Sequence, residues 1–93
     1  VISVIVALTL ILSNQGYSQQ EITCTMNLVK IESNFHLYSK NSKSGAYGLF
    51  QLMNVKTKLS MKQQVARFDR YVKHRYSGSV CKALEHQYKH HWY

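Results

Sequence analysis

The chain has 93 residues, with twelve Lys and Arg against four Asp and Glu, for a formal net charge of +8. With no proline, no internal repeat and no low-complexity tract, nothing in it suggests a second domain. The basic balance favours an anionic partner such as nucleic acid, anionic lipid or cell-wall polymer, without choosing among them.

Residues 1–12 are almost wholly apolar. A run of that length is too short to span a bilayer, which needs roughly 20 residues, but it matches the apolar stretch of a secretory signal peptide. Gly16-Tyr17-Ser18 places small residues ahead of a cut after Ser18, so the expectation is a signal peptide over 1–18 and an exported domain over 19–93, periplasmic or extracellular. The alternative for the apolar run is a buried hydrophobic helix.

After a polar connector, Cys24, Leu28, Ile31 and Phe35 recur at helical spacing, which predicts an amphipathic helix from about Glu21 to Ser33 with Glu32 beside its apolar stripe. Asn34 to Ser44 is polar and reads as a loop. Tyr47 to Met53 is rich in aromatic and apolar residues, and propensity leaves strand and short helix nearly even. Ser60-Met61-Lys62-Gln63 fits a capping box, and Met61, Val65, Phe68 and Val72 form a stripe running to about Tyr76. Ser77-Gly78-Ser79 breaks that helix, with Gly78 suited to the left-handed position. Ser79 caps a last helix whose inner face reads as Cys81, Leu84, Tyr88 and His91.

Both cysteines then point inward from the first and last of these helices, and in an exported chain an isolated pair favours a Cys24–Cys81 disulfide. Such a link would stabilise by roughly 4 kcal/mol through the chain entropy it removes. Two buried free thiols are the alternative.

Among four acids, a glutamate at the margin between core and solvent stands out, because general-acid chemistry at neutral pH needs a carboxyl with a raised pKa. Glu21, Asp69 and Glu85 offer Glu32 no convincing partner, although glycosidases ordinarily hold a second carboxylate within about 5–10 Å. By itself Glu32 reads more readily as a surface carboxylate at a helix end. Gly45 and Gly48 allow positive φ and close approach of a polymer, Gln51 can donate and accept toward a sugar, and Tyr71, Tyr76 and Trp92 offer flat faces. His86 and His90 have a chelating i, i+4 spacing, but no third ligand accompanies them and His91, so a solvated basic face is expected and no metal.

Glu32-Ser33, followed by Ser44-Gly45-Ala46-Tyr47-Gly48-Leu49-Phe50-Gln51, resembles the catalytic core of the lysozyme-like lytic transglycosylases, in which a helix ending in Glu-Ser precedes Ser-Gly-Ala-x-Gly-Leu-x-Gln. Tyr71 to Tyr76 is similar to the Tyr-Ile-x-x-Arg-Tyr helix of phage-associated members. Ala83-Leu84 and His90-His91-Trp92-Tyr93 are similar to their closing Ala-Leu and His-Gly-Trp-Tyr. The resemblance covers most of residues 26–93. It implies a mainly α, minimal lysozyme-like domain of three or four helices with a small extended segment. It also implies Glu32 as the catalytic acid and base, and a sugar cleft drawing on Ser33, Ser44, Gly45, Ala46, Gly48, Leu49, Gln51, Tyr71, Tyr76 and Trp92.

The substrate would be peptidoglycan, cut between N-acetylmuramic acid and N-acetylglucosamine by a monomer without cofactor, nucleic acid or lasting membrane span. Departures are Asn54 in place of proline, His36-Leu37 in place of Asn-Pro, His91 in place of glycine, and a short link from Asn54 to Ser60. These leave open a weak or inactive peptidoglycan-binding module. Lys62, Arg67, Arg70, Lys73, His74 and Arg75 leave open a nucleic-acid binder.

Overall fold

A computed structural model describes residues 3–93. The fold is mainly α, with helices α1 (Val4–Asn14), α2 (Gln19–Ser33), α3 (Met61–Tyr76) and α4 (Val80–His90). Helix α2 packs along α4, α3 closes on α4, and α1 lies against α2 and α3. The long connection 34–60 wraps one side of this cluster. Its extended content is limited to antiparallel bridges pairing Tyr47 with Lys40 and with Leu52, so the segment from 47 to 53 is a tight bridged turn rather than a strand or a helix.

Local chemistry accounts for the helix starts. Ser18 and Ser60 each accept from the backbone N–H three residues on, while Glu21 and Gln63 reach back to the Ser18 and Ser60 N–H groups. These are two complete capping boxes, and the first extends α2 two residues beyond the expected start. Ser77 takes the left-handed C-cap of α3 at φ 54°, with Gly78 following at φ 86°.

The core gathers Leu28, Val29, Leu49, Phe50, Val65, Phe68, Val72 and Val80. Phe50 and Phe68 stack with centroids 4.1 Å apart, and Tyr93 meets Phe68 edge-on at 6.2 Å. Leu8 and Leu12 of α1 are fully buried in the same cluster. Each such leucine contributes about 1.5–3 kcal/mol by leaving water, so α1 completes the core in this structure. Tyr17, just after α1, donates its hydroxyl proton to Asp69 Oδ1 at 2.9 Å, tying the α1–α2 turn to α3.

Two helix faces differ from the expected ones. In α2 the buried positions are Ile22, Thr25, Leu28, Val29 and Ser33, while Ile31 is exposed. In α4 they are Val80, Ala83, Leu84 and Gln87, while Tyr88 and His91 lie outside. Polar residues on the inner face misled the apolar count, because Thr25 and Ser33 satisfy their hydroxyls on backbone carbonyls one turn back. The cysteines sit at the margin of these faces and are joined, Cys24 to Cys81, closing a sequence separation of 57.

Gln64, nearly fully buried on α3, organises the long connection. Its Oε1 accepts from the Leu49 N–H at 2.8 Å, and its Nε2 donates to Leu37 O at 2.9 Å and Leu59 O at 3.2 Å. Gly48 makes room for that amide: at φ 80° it would place a Cβ 2.3 Å from Gln64 Oε1.

Candidate functional site

A cavity of about 840 Å³ opens between the end of α2, the bridged turn, α3 and the C-terminal residues. Glu32 lines it from the last turn of α2, with Ile31 beside it. Asn34 and Phe35 follow with φ 50° and 63°, a double left-handed reversal that ends the helix and turns the chain away. A phenylalanine held there is sterically costly, and such strain is typical of sites the surrounding structure over-determines.

Burial raises the Glu32 carboxyl pKa above the ordinary carboxylate range, and a hydrogen bond donated by Gln87 Nε2 to Glu32 Oε2 opposes part of that rise. Its place at the C-terminal end of α2, the negative end of the helix dipole, works in the same direction as burial. Glu32 is the one acid lining the cavity among the described residues. Asp69 is turned to Tyr17 and to Lys73 Nζ at 2.8 Å, Glu85 pairs with Lys89 at 3.0 Å, and Glu21 is held in the α2 capping box. With oxygen-donating groups so dispersed, no cluster of three or more His, Cys, Asp or Glu able to hold a metal occurs among the described residues.

The bridged turn forms the facing wall. Ser44, Ala46 and Gln51 line the cavity, as do Tyr71 and Trp92. Gln51 adopts φ 51° and commits its Nε2 to Ser39 O at 3.1 Å and Gly48 O at 2.9 Å. Its Oε1 is therefore the atom left for a substrate donor.

The remaining candidates stand behind this wall rather than on it. Ser33 is buried and donates its hydroxyl proton to Val29 O at 3.2 Å. Leu49 is fully buried in the core, while Gly45 and Gly48 shape the turn through positive φ. Tyr76 donates to Tyr93 O at 2.7 Å, beside the 2.5 Å bond from the Tyr71 hydroxyl to the same oxygen. The two tyrosines thereby pin the C-terminal residue, whose own hydroxyl donates to Phe50 O at 2.5 Å. Burial of Tyr71 and Tyr93 raises both phenol pKa values, so they act as donors throughout the neutral range.

Trp92 lies half-exposed at the cavity edge, with the Arg75 guanidinium 4.8 Å from its ring centroid and the His86 ring edge-on at 4.4 Å. The cation and the imidazole hold the indole in place at the cavity edge. His86 and His90 have centroids 4.4 Å apart, and His86 Nδ1 is occupied by Trp92 O at 2.9 Å.

Gln87 is the functional candidate the sequence did not single out, since its partner lies 55 residues away and the α4 phase was read differently. Arg67 and Arg70 also line the cavity. In the sequence they were legible as basic residues but not as a cavity wall.

Fold and cleft together define a small helical domain that presents one protonatable carboxyl, with its own amide partner, to a groove large enough for a short carbohydrate segment. The family model described as Transglycosylase SLT domain matches residues 10–84, and the chain belongs to that family. The match begins inside α1 and ends within α4. No curated protein and no solved structure matches the chain.

Proposed function

We propose that the protein is a peptidoglycan lytic transglycosylase that cleaves the β-1,4 bond between N-acetylmuramic acid and N-acetylglucosamine, with Glu32 as its single catalytic carboxyl. The observation that carries this reading is a carboxyl of raised pKa on the wall of a cavity lined by no second acid among the described residues. A protonated Glu32 donates to the glycosidic oxygen as the C1–O bond breaks, and the positive charge developing at C1 is met by a group of the substrate itself. The carboxylate then accepts the proton of the muramic acid 6-hydroxyl as that oxygen bonds to C1. The product is a 1,6-anhydro end, no water is consumed, and Glu32 returns to its acid form. Gln87 holds Oε2, which aims the remaining oxygen of the carboxyl toward the bond to be cut. Gln51, Tyr71 and Trp92 orient the glycan, and Arg67 and Arg70 attract its anionic groups.

Export, with residues 1–18 removed as a leader, belongs to the same proposal, as does action by a monomer. Removal would take Leu8 and Leu12 out of the core. Among the described residues no helix is long and apolar enough to cross a membrane.

The test is digestion of purified peptidoglycan followed by mass analysis. Anhydro-muropeptides are expected from the natural chain. A drop of about 10²–10⁴-fold is expected for Glu32→Gln, the usual contribution of a general acid. Full activity in Glu32→Gln removes this residue from the mechanism, and reducing ends alone would show hydrolysis. The short connection 54–60 favours a second reading, a module that binds peptidoglycan without turning it over. Tight binding with no soluble product would support it.

A further inference from the structure

A second cavity, of about 400 Å³, lies on the other side of the bridged turn and is walled by Tyr38, Lys40, Tyr47, Lys56 and Lys58. Tyr47 pairs across the turn with both Lys40 and Leu52. Leu52 faces the Glu32 cavity, whereas Tyr47 and Lys40 face the second one. One narrow ribbon therefore separates the two spaces, with neighbouring extended segments about 4.8 Å apart.

The tyrosine walls are fixed. Tyr38 and Tyr47 stack with centroids 6.4 Å apart, and the Tyr47 hydroxyl accepts from the Leu59 N–H at 3.3 Å. Lys58 Nζ sits 4.4 Å from the Tyr38 ring centroid, which holds one ammonium against the tyrosine wall. None of the four acids of the chain neutralises these lysines, because each is engaged elsewhere or lines the other cavity. Three like charges around one concavity repel one another, and an anion entering it relieves that repulsion.

We infer that this basic, tyrosine-walled cavity binds a carboxylate-bearing peptide branch of the same polymer whose glycan occupies the Glu32 cavity. The inference rests on the peptidoglycan reading for the identity of that polymer. The volume suits a short side branch rather than a second polysaccharide strand. The cation type suits carboxylates spread along a flexible branch: lysine ammonium groups act as adaptable point charges that need no fixed bidentate partner. The stacked tyrosines supply apolar surface for the aliphatic part of a peptide.

The experiment measures binding of the Glu32→Gln protein, so that cleavage does not erase the ligand, to two glycan preparations of matched length. One carries its peptides, and the other has had them removed enzymatically. Each exposed ammonium–carboxylate pair contributes a factor of roughly 1.5 to 5. Peptide-bearing strands should therefore bind about 10-fold tighter than bare strands. The triple variant Lys40→Gln, Lys56→Gln, Lys58→Gln should abolish that difference while leaving affinity for bare strands unchanged. Equal affinity for the two preparations overturns the inference, and so does a variant that weakens both alike. Competition by polyphosphate that exceeds, per charge, that of a short diacidic peptide would assign the cavity to phosphate polymers instead. Cleavage of bare strands by the chain with Glu32 intact tests the catalytic reading separately, so either result can fail without the other.

Discussion

Replacing Gln87 by methionine keeps the length and flexibility of the side chain but removes the hydrogen bond that Glu32 Oε2 accepts. A hydrogen bond to a charged group contributes about 1.5–3 kcal/mol. Glu32 is only half buried, so discounting for solvent screening by about half leaves roughly 1 kcal/mol, or about one pH unit. That bond favours the ionised carboxyl, so its loss raises the Glu32 pKa further. A general acid works only while protonated, and kcat/KM falls as pH rises through its pKa in the free enzyme. The alkaline limb of the pH profile should therefore move up by about one unit in Gln87→Met. The assay is initial release of soluble fragments from peptidoglycan across the neutral range, with circular dichroism to confirm the fold. A limb that stays in place, or moves to lower pH, in a folded variant would refute the pairing of Gln87 with a catalytic Glu32.

Stability should respond to Glu32 in the opposite sense from most carboxylates. Its folded-state pKa is raised, so between the ordinary carboxylate range and that higher value the folded state binds more protons than the unfolded state, and stability falls as pH rises. Glu32→Gln should accordingly gain a few degrees in Tm relative to the natural chain above this window and little below it; an equal Tm difference at both ends argues against a buried titrating group. Replacing Cys24 and Cys81 together by serine should cost about 2–4 kcal/mol, seen as a Tm lower by roughly 10–25 °C in calorimetry, whereas an unchanged Tm would mean the link constrains nothing. Gly48→Ala should lose about 1–3 kcal/mol for its left-handed backbone alone, with more from displacing the Gln64 amide; denaturant unfolding within 0.5 kcal/mol of the natural chain, roughly the usual range for neutral surface changes, would show that the amide has another place to go.

Helix α3 was legible because its apolar residues and its capping box agree, and Val65, Phe68 and Val72 are all buried. Glu32 at the end of α2 was legible for the same reason a motif can be: the residues sit close together in sequence. The faces of α2 and α4 were not. There the core accepts Thr25, Ser33 and Gln87, whose polar atoms are satisfied internally, while Ile31 is given to the cavity wall and Tyr88 to solvent. Apolar periodicity marks what leaves water, not which polar groups find partners, and a partner 55 residues distant leaves no local trace. Gln64 is another such case, since its three acceptors and donors come from residues 37, 49 and 59.

The Cys24–Cys81 link lies between the same two helices that carry Glu32 and Gln87. The bond therefore also ties the helix that bears the acid to the helix that bears its amide partner. With the thiols reduced, the roughly 2–4 kcal/mol that the link contributes is lost, and α2 and α4 are held by their packing and by the Glu32–Gln87 bond. Oxidation restores that constraint on the two helices. Redox conditions thus reach the acid-bearing wall of the cavity through the fold, although neither sulfur lines that cavity.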